Sequence, residues 1–123
     1  RPMKIINIKN VPKEEFADWS LFTGKIVRQS PLKDSEGSDL SVDYIHFAVG
    51  VHNKLHIHSN DQVLIVTKGE GIVATEKEKF RVKEGDIIWV SAGEKHYHGA
   101  APGFEFTHIS ITKAHTKLTQ LEK

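Results

Sequence analysis

The sequence predicts an all-β fold, an antiparallel sandwich or barrel. Three observations carry that expectation. Short runs rich in β-branched and aromatic residues follow one another from Val42 onward, each closed by a glycine-bearing turn. No segment has the strand–helix–strand spacing of a parallel sheet, and there is no phosphate-binding glycine loop. No repeat of helical-solenoid length is present.

Taken in order, residues 4–8 alternate weakly and read as a first strand. Residues 11–18, with Pro12 near their start, read as a short helical turn. Residues 19–28 form a strand broken by Gly24. Residues 29–40 hold Pro31, Asp34, Ser35, Gly37 and Ser38 and read as a loop. Residues 41–49 are a strand ending at Gly50. Residues 54–58 and 62–67 are strands, followed by a turn at 68–71. Residues 72–75 and 80–82 pair as a hairpin around the charged turn 76–79. Residues 87–90 are a buried strand between turns at Gly85-Asp86 and 91–94. Residues 95–98 and 104–112 are the last strands. Residues 114–123 read as a short amphipathic helix with Ala114, Leu118 and Leu121 on one side, or as a loose tail. The whole is expected to be one domain, 1–123, with its core at 42–112, N-terminal strands at 3–41 and a tail at 113–123. Met3 reads as the native start, with Arg1 and Pro2 as extra residues ahead of it.

Composition removes several function classes. The formal net charge is +1 and no block of like charges stands out, so neither nucleic acid nor an anionic membrane is an expected partner. Cysteine is absent, which excludes disulfides, thiolate nucleophiles and cysteine-held zinc or iron–sulfur centres. No apolar segment reads as a signal peptide or membrane span, so the cytoplasm is the expected location.

Eight histidines are the unusual feature. His56 and His58 lie two apart, and in a strand positions i and i+2 face the same way. Gln62 shares their parity beyond a short turn at 59–61. Asp61 has the opposite parity, which argues against it as a ligand. His96 can supply a third imidazole. Two or three imidazoles and an amide oxygen suit a borderline divalent metal. The competing reading is that these are ordinary strand histidines packed against polar neighbours. His98 shares the parity of His96; it is either a general base, since an unperturbed imidazole titrates near working pH, or a core histidine that orients its neighbour. For His108 the pattern alone leaves either face open. Asp43, Ile45, Phe47 and Val49 share one parity, taken as interior, which places Asp43 at a pocket mouth as an acid–base group or as a solvated strand end. Trp89 and Phe104 read as core or rim, Tyr97 as outward, and His52 and His115 as solvent-exposed.

The spacing forms two half-motifs. The first is Gly50, five residues, His56, one residue, His58, three residues, Gln62, six residues, Gly69. The second is Gly85, five residues, Ser91-Ala92-Gly93, two residues, His96. Together they resemble the cupin superfamily, whose fold is a double-stranded β-helix, or jelly-roll barrel. Two departures stand out: Gln62 where most cupins carry Glu, and Ser91 and Ala100 where Pro and Asn are frequent. The strings FTG at 22–24, Pro31-Leu32, DQVLIVTKGEG at 61–71, GDIIWVSAGEKHYHGA at 85–100 and FTHISI at 106–111 narrow the resemblance. They are similar to small single-domain cupins related to carboxymuconolactone decarboxylase-like proteins, a group that includes cupin hydroxynitrile lyases.

That resemblance implies metal ligation by His56, His58, Gln62 and His96, with His98 and His108 in the pocket. The metal it implies is manganese or iron, with zinc, nickel, cobalt or copper also accommodated by the donors. It implies a small oxygen-bearing substrate and lyase, isomerase or decarboxylase chemistry, with His98 and His108 as candidate catalytic groups; strand parity adds Asp43 to them. It also implies a homodimer or higher oligomer. Two other readings stay open: a non-catalytic small-molecule-binding cupin, and an iron-dependent dioxygenase.

Overall fold

The computed structural model describes residues 3–123, so the expectation for Arg1 and Pro2 lies outside the described residues. Ten strands make up the architecture: β1 (Glu14–Phe16), β2 (Ile26–Leu32), β3 (Leu40–Phe47), β4 (His56–His58), β5 (Gln62–Thr75), β6 (Lys79–Lys83), β7 (Ile87–Val90), β8 (His96–Ala100), β9 (Phe106–Lys113) and β10 (Leu118–Gln120). They form one curled antiparallel sheet in the order β1-β2-β3-β9-β5-β8-β4-β10, with β6 and β7 also paired to β5. The all-β expectation holds. Among the described residues no helix is long and apolar enough to cross a membrane.

β5 is the strand that curls the sheet. Its first half lies between β7 and β9 and its second between β6 and β8. The register slips between Val66 and Lys68, where the strand bends from one half of the barrel to the other. A turn was expected at 68–71, but the bend keeps its ladder. Gly69 makes this possible: its φ is 77°, and a Cβ there would collide with the Glu105 carbonyl.

Inward residues of both halves meet in a core of Leu21, Ile26, Phe47, Val73, Phe106 and their neighbours. Phe47 and Phe106 are nearly or wholly buried, each contributing about 1.5–3 kcal/mol by area removed from water.

Four expectations are corrected. Residues 4–8 form no strand; they run without a ladder partner into a 3-10 turn at Ile8–Asn10, capped by the Asn7 side chain accepting from Lys9 N at 2.9 Å. The helical turn expected at 11–18 is instead β1, paired to β2 and tied by Arg28 Nε to Glu14 Oε1 at 3.4 Å. The loop expected from residue 29 starts later, because β2 runs on to Leu32 before a 3-10 turn at Asp34–Glu36. The C-terminal helix is absent. Leu118–Gln120 pairs with β4 across Leu118↔His58 and Gln120↔His56. β4 meets β8 through the single pair His56↔His96, so its other edge stood open and the C-terminal segment closes it.

Candidate metal centre and pocket

Three elements bring the predicted ligands together. His56 and His58 sit on β4, Gln62 opens β5 and His96 opens β8. One ring nitrogen from each of the three histidines lies within 4.8 Å of the others, and all three side chains are buried. Asp61 faces away, as its parity requires. Its carboxylate accepts from Trp89 Nε1 at 2.9 Å and Ala92 N at 2.8 Å, which hold it below the usual carboxylate range. It fastens the turn and is no ligand.

Hydrogen bonds aim the donors. His56 Nδ1 donates to the Lys54 carbonyl at 2.6 Å and His96 Nδ1 to the Glu94 carbonyl at 2.7 Å. Each ring therefore keeps a bare lone pair on Nε2. Gln62 Nε2 donates to Ser110 Oγ at 2.9 Å, which turns Oε1 inward to 3.2 Å from His96 Nε2. Two acceptors with no proton between them thus face each other. Octahedral neighbours at ordinary metal–ligand lengths are about 3 Å apart, so a shared cation fits this arrangement. His58 adds a second sign: both of its ring nitrogens are buried without a partner. A neutral group left so costs about 1–3 kcal/mol. The donor set fits a divalent ion.

Electrostatics agree. Burial, then the neighbouring His96, push the His56 pKa from 6.5 to about 3 and that of His58 to about 4. Burial also lowers His96. All three are neutral at pH 7, the form that binds metal.

Beside the triad lies a cavity of about 200 Å³. His98 and His108 both line it, which settles the face of β9 in favour of Phe106, His108 and Ser110 pointing inward. His98 Nδ1 and His108 Nε2 are 2.9 Å apart. Asn53 Oδ1 accepts from the backbone N of His98 at 2.7 Å, so its Nδ2 is the donor toward His98 Nε2 at 3.3 Å. That assigns the proton of His98 to Nδ1, donated to His108. Burial pushes both far down: His98 further through the neighbouring His108 and the metal-site histidines, and His108 to about 3 with a smaller contribution from His46.

Asp43 lines the same cavity, as the parity of β3 indicates. Burial raises its pKa against the opposing pull of the Ser30 hydrogen bond and Arg28. Trp19, Leu21, Phe22, Ile45 and Phe47 form the apolar wall.

Sequence reasoning missed Asn53, Ser110 and Arg28. Ser110 was within reach, since it shares the parity of His108. Asn53 sits outside any strand and carries no periodic signal. Three placements differ from expectation: Trp89 is 72% exposed on the outer face, the strand 87–90 is buried on one side only, and His52 is half-buried against Tyr97, its ring centroid 5.2 Å away.

Comparisons with known proteins fit this geometry. The family model described as "Cupin domain" matches residues 43–109. The (R)-mandelonitrile lyase of Granulicella tundricola is 41% identical over 99 residues, spanning 77% of this chain and 72% of that protein. A cupin-like protein from Thermotoga maritima superposes with a TM-score of 0.79 at 29% identity, covering 83% of this chain and 80% of that one. The polyketide cyclase RemF from Streptomyces resistomycificus gives 0.85 at 14% identity over 99% of this chain and 87% of its own, a likeness of fold alone.

Proposed function

The chain belongs to the cupin family, and from that premise we propose that it is a metal-dependent lyase that breaks a carbon–carbon bond in a small cyanohydrin. The observation that carries the reading is the convergence of His96 Nε2 and Gln62 Oε1, two bare acceptors at 3.2 Å, beside a second histidine couple in one cavity. The 41% identical mandelonitrile lyase supplies the reaction class.

In this reading His56, His58, Gln62 and His96 hold one divalent ion, manganese or iron before the others. When bound, the ion supplies a Lewis-acidic centre for an anionic oxygen or departing cyanide, at full charge because all four ligands are neutral. Trp19, Phe22 and Phe47 take the substrate's apolar group and exclude water. The cavity is smaller than the ~300–1,000 Å³ of typical drug-sized sites, which favours a substrate of few heavy atoms.

His98 moves the proton. Its Nε2 gives up the 3.3 Å contact from Asn53 and accepts the substrate hydroxyl proton, while Nδ1–H stays on His108. The C–CN bond breaks, a carbonyl forms, and cyanide leaves with the bonding pair. The proton then passes to cyanide, so the products are a carbonyl compound and hydrogen cyanide. Asp43 is the second proton-exchanging group, at the pocket mouth.

The test is release of benzaldehyde from racemic mandelonitrile, followed by absorbance and chiral chromatography. Metal-loaded protein is expected to turn over with a stereochemical preference, and chelated protein and His96→Ala are not. Full turnover by the chelated protein would overturn the reading. So would tight binding of cyanohydrins with no turnover, which would mark a binding barrel.

A further inference from the structure

The cavity beside the histidine triad holds one strong cation that the proposed reaction leaves idle. Among the described residues that line it, Arg28 carries the only guanidinium or ammonium group. Strand register fixes where it stands. Arg28 on β2 is the cross-strand partner of Ile45 on β3, and Ile45 is the partner of His108 on β9. Paired side chains share a face, so Arg28, Ile45 and His108 form one row across the inner wall. Neighbouring strands lie about 4.8 Å apart, which puts the backbones of Arg28 and His108 about 10 Å from each other. The row thus has the proton-moving couple at one end and a fixed positive charge at the other.

The neighbours of Arg28 hold its guanidinium in place without satisfying it. Cζ lies 4.8 Å from the centroid of the Phe16 ring and 5.6 Å from that of Trp19. Glu14, the next member of the row on β1, accepts from Nε at 3.4 Å. That bond takes one N–H of the fork and leaves those on the two Nη atoms. The pair is also weak, because its side chains are 30% and 47% exposed, and such pairs contribute about 0–1 kcal/mol. Asp43, two residues from Ile45 on β3, is the other charged side chain at this end. Burial raises its pKa, so it opposes an arriving anion less than a solvated aspartate would.

The wall between the two ends of the row is aromatic. Trp19, Phe22, Phe47 and His108 follow one another with ring centroids 5.0, 5.9 and 5.2 Å apart. This run leads from the guanidinium to the proton-moving couple, and a flat ring laid along it has an aromatic partner at each step.

We infer that Arg28 is a carboxylate-binding subsite, and that the substrate is an aryl cyanohydrin whose ring bears a carboxylate opposite the reacting carbon. The inference takes its reaction from the lyase reading and adds the substrate class. Arginine reads a carboxylate through two parallel N–H bonds, which fix orientation as well as position. With its carboxylate on Arg28 and its ring along the aromatic wall, the substrate directs its hydroxyl-bearing carbon at His98 and the triad. 4-Carboxymandelonitrile is the simplest such molecule. Its C–CN bond breaks, the hydroxyl proton ends on cyanide, and the products are 4-formylbenzoate and hydrogen cyanide; the carboxylate is unchanged.

The experiment has two readouts on wild type, Arg28→Met and Arg28→Lys. One is kcat/KM for 4-carboxymandelonitrile against mandelonitrile. The other is calorimetric titration of the purified protein with 4-formylbenzoate against benzaldehyde. Wild type is expected to favour the carboxylated member of each pair by about tenfold or more, carried in turnover by KM. Arg28→Met keeps an unbranched stem over the rings but should lose the preference, and Arg28→Lys should keep part of it. Glu14→Gln releases the guanidinium from the solvent side and should raise the preference; if Arg28→Met does not fold, an unchanged preference in Glu14→Gln overturns the inference. Equal binding of the two aldehydes by wild type would overturn it, and so would a preference that survives in Arg28→Met. The two readings fail separately. Arg28-dependent binding of 4-formylbenzoate with no cleavage of either cyanohydrin upholds the subsite and overturns the lyase, whereas cleavage of both cyanohydrins without preference overturns the subsite alone.

Discussion

Acid should unfold the metal-free protein well above the range of ordinary carboxylate titration. His56 and His108 have folded pKa values pushed from 6.5 to about 3, chiefly by burial. Both are therefore neutral when folded and take up a proton only on unfolding between these limits. The sign follows from linkage. A base with a depressed folded pKa contributes stability that is present above 6.5 and lost as pH falls toward 3. At pH 5 each unfolded imidazole gains about 2 kcal/mol from protonation, so the pair removes about 4 kcal/mol relative to pH 8. His58, lowered to about 4, acts in the same direction. Domains of this size hold about 5–15 kcal/mol in total, so the loss is a large share. The assay is urea denaturation of chelated protein, followed by far-ultraviolet circular dichroism at pH 8, 7, 6 and 5. The unfolding free energy should fall by about 4 kcal/mol or more across the series, with an unchanged m-value. Near-constant stability from pH 8 to pH 5 would refute the buried, neutral histidine cluster.

Further outcomes follow from single contacts. Gln62→Glu adds a carboxylate where Ser110 Oγ can reverse its hydrogen bond; metal should bind about tenfold tighter in calorimetric titration, and turnover should fall. His108→Ala removes the partner of His98 Nδ1, so kcat should fall by about 100-fold or more with metal content unchanged. Asn53→Ala leaves the buried backbone N of His98 without its acceptor and should cost about 1–3 kcal/mol in denaturant melts. Gly71→Ala would set a Cβ 2.5 Å from the Phe106 ring and 2.6 Å from the Gly99 carbonyl, for a loss of about 1–3 kcal/mol read by thermal unfolding.

The site was more legible than its frame. Strand parity alone placed His56 and His58 together, turned Asp61 away, and put Asp43 on the wall with Ile45 and Phe47. Those arguments need only the period of two. What failed depended on open edges elsewhere in the fold. Leu118 and Leu121 suit a helix face as well as a strand, and the choice was made by the bare edge of β4, fifty residues or more upstream. Residues 14–16 became a strand because β2 offered an edge and Arg28 a countercharge. The turn signal at 68–71 was real glycine chemistry, spent on a bend within β5. Trp89 was assigned to core or rim on hydrophobicity, whereas the strand it sits on buries only its other side. Asn53 lies outside any strand, where no periodicity points to it.

The proposed function rests on one divalent metal site held by His56, His58, Gln62 and His96. Elemental analysis of untagged protein purified without added metal tests it most directly, beside His56→Ala and His96→Ala. Close to one equivalent of a divalent transition metal is expected in the wild type, lost from both variants while each keeps its β-rich circular dichroism spectrum. A folded wild type that holds no metal and takes none up on titration, or variants that retain it in full, would rule this site out.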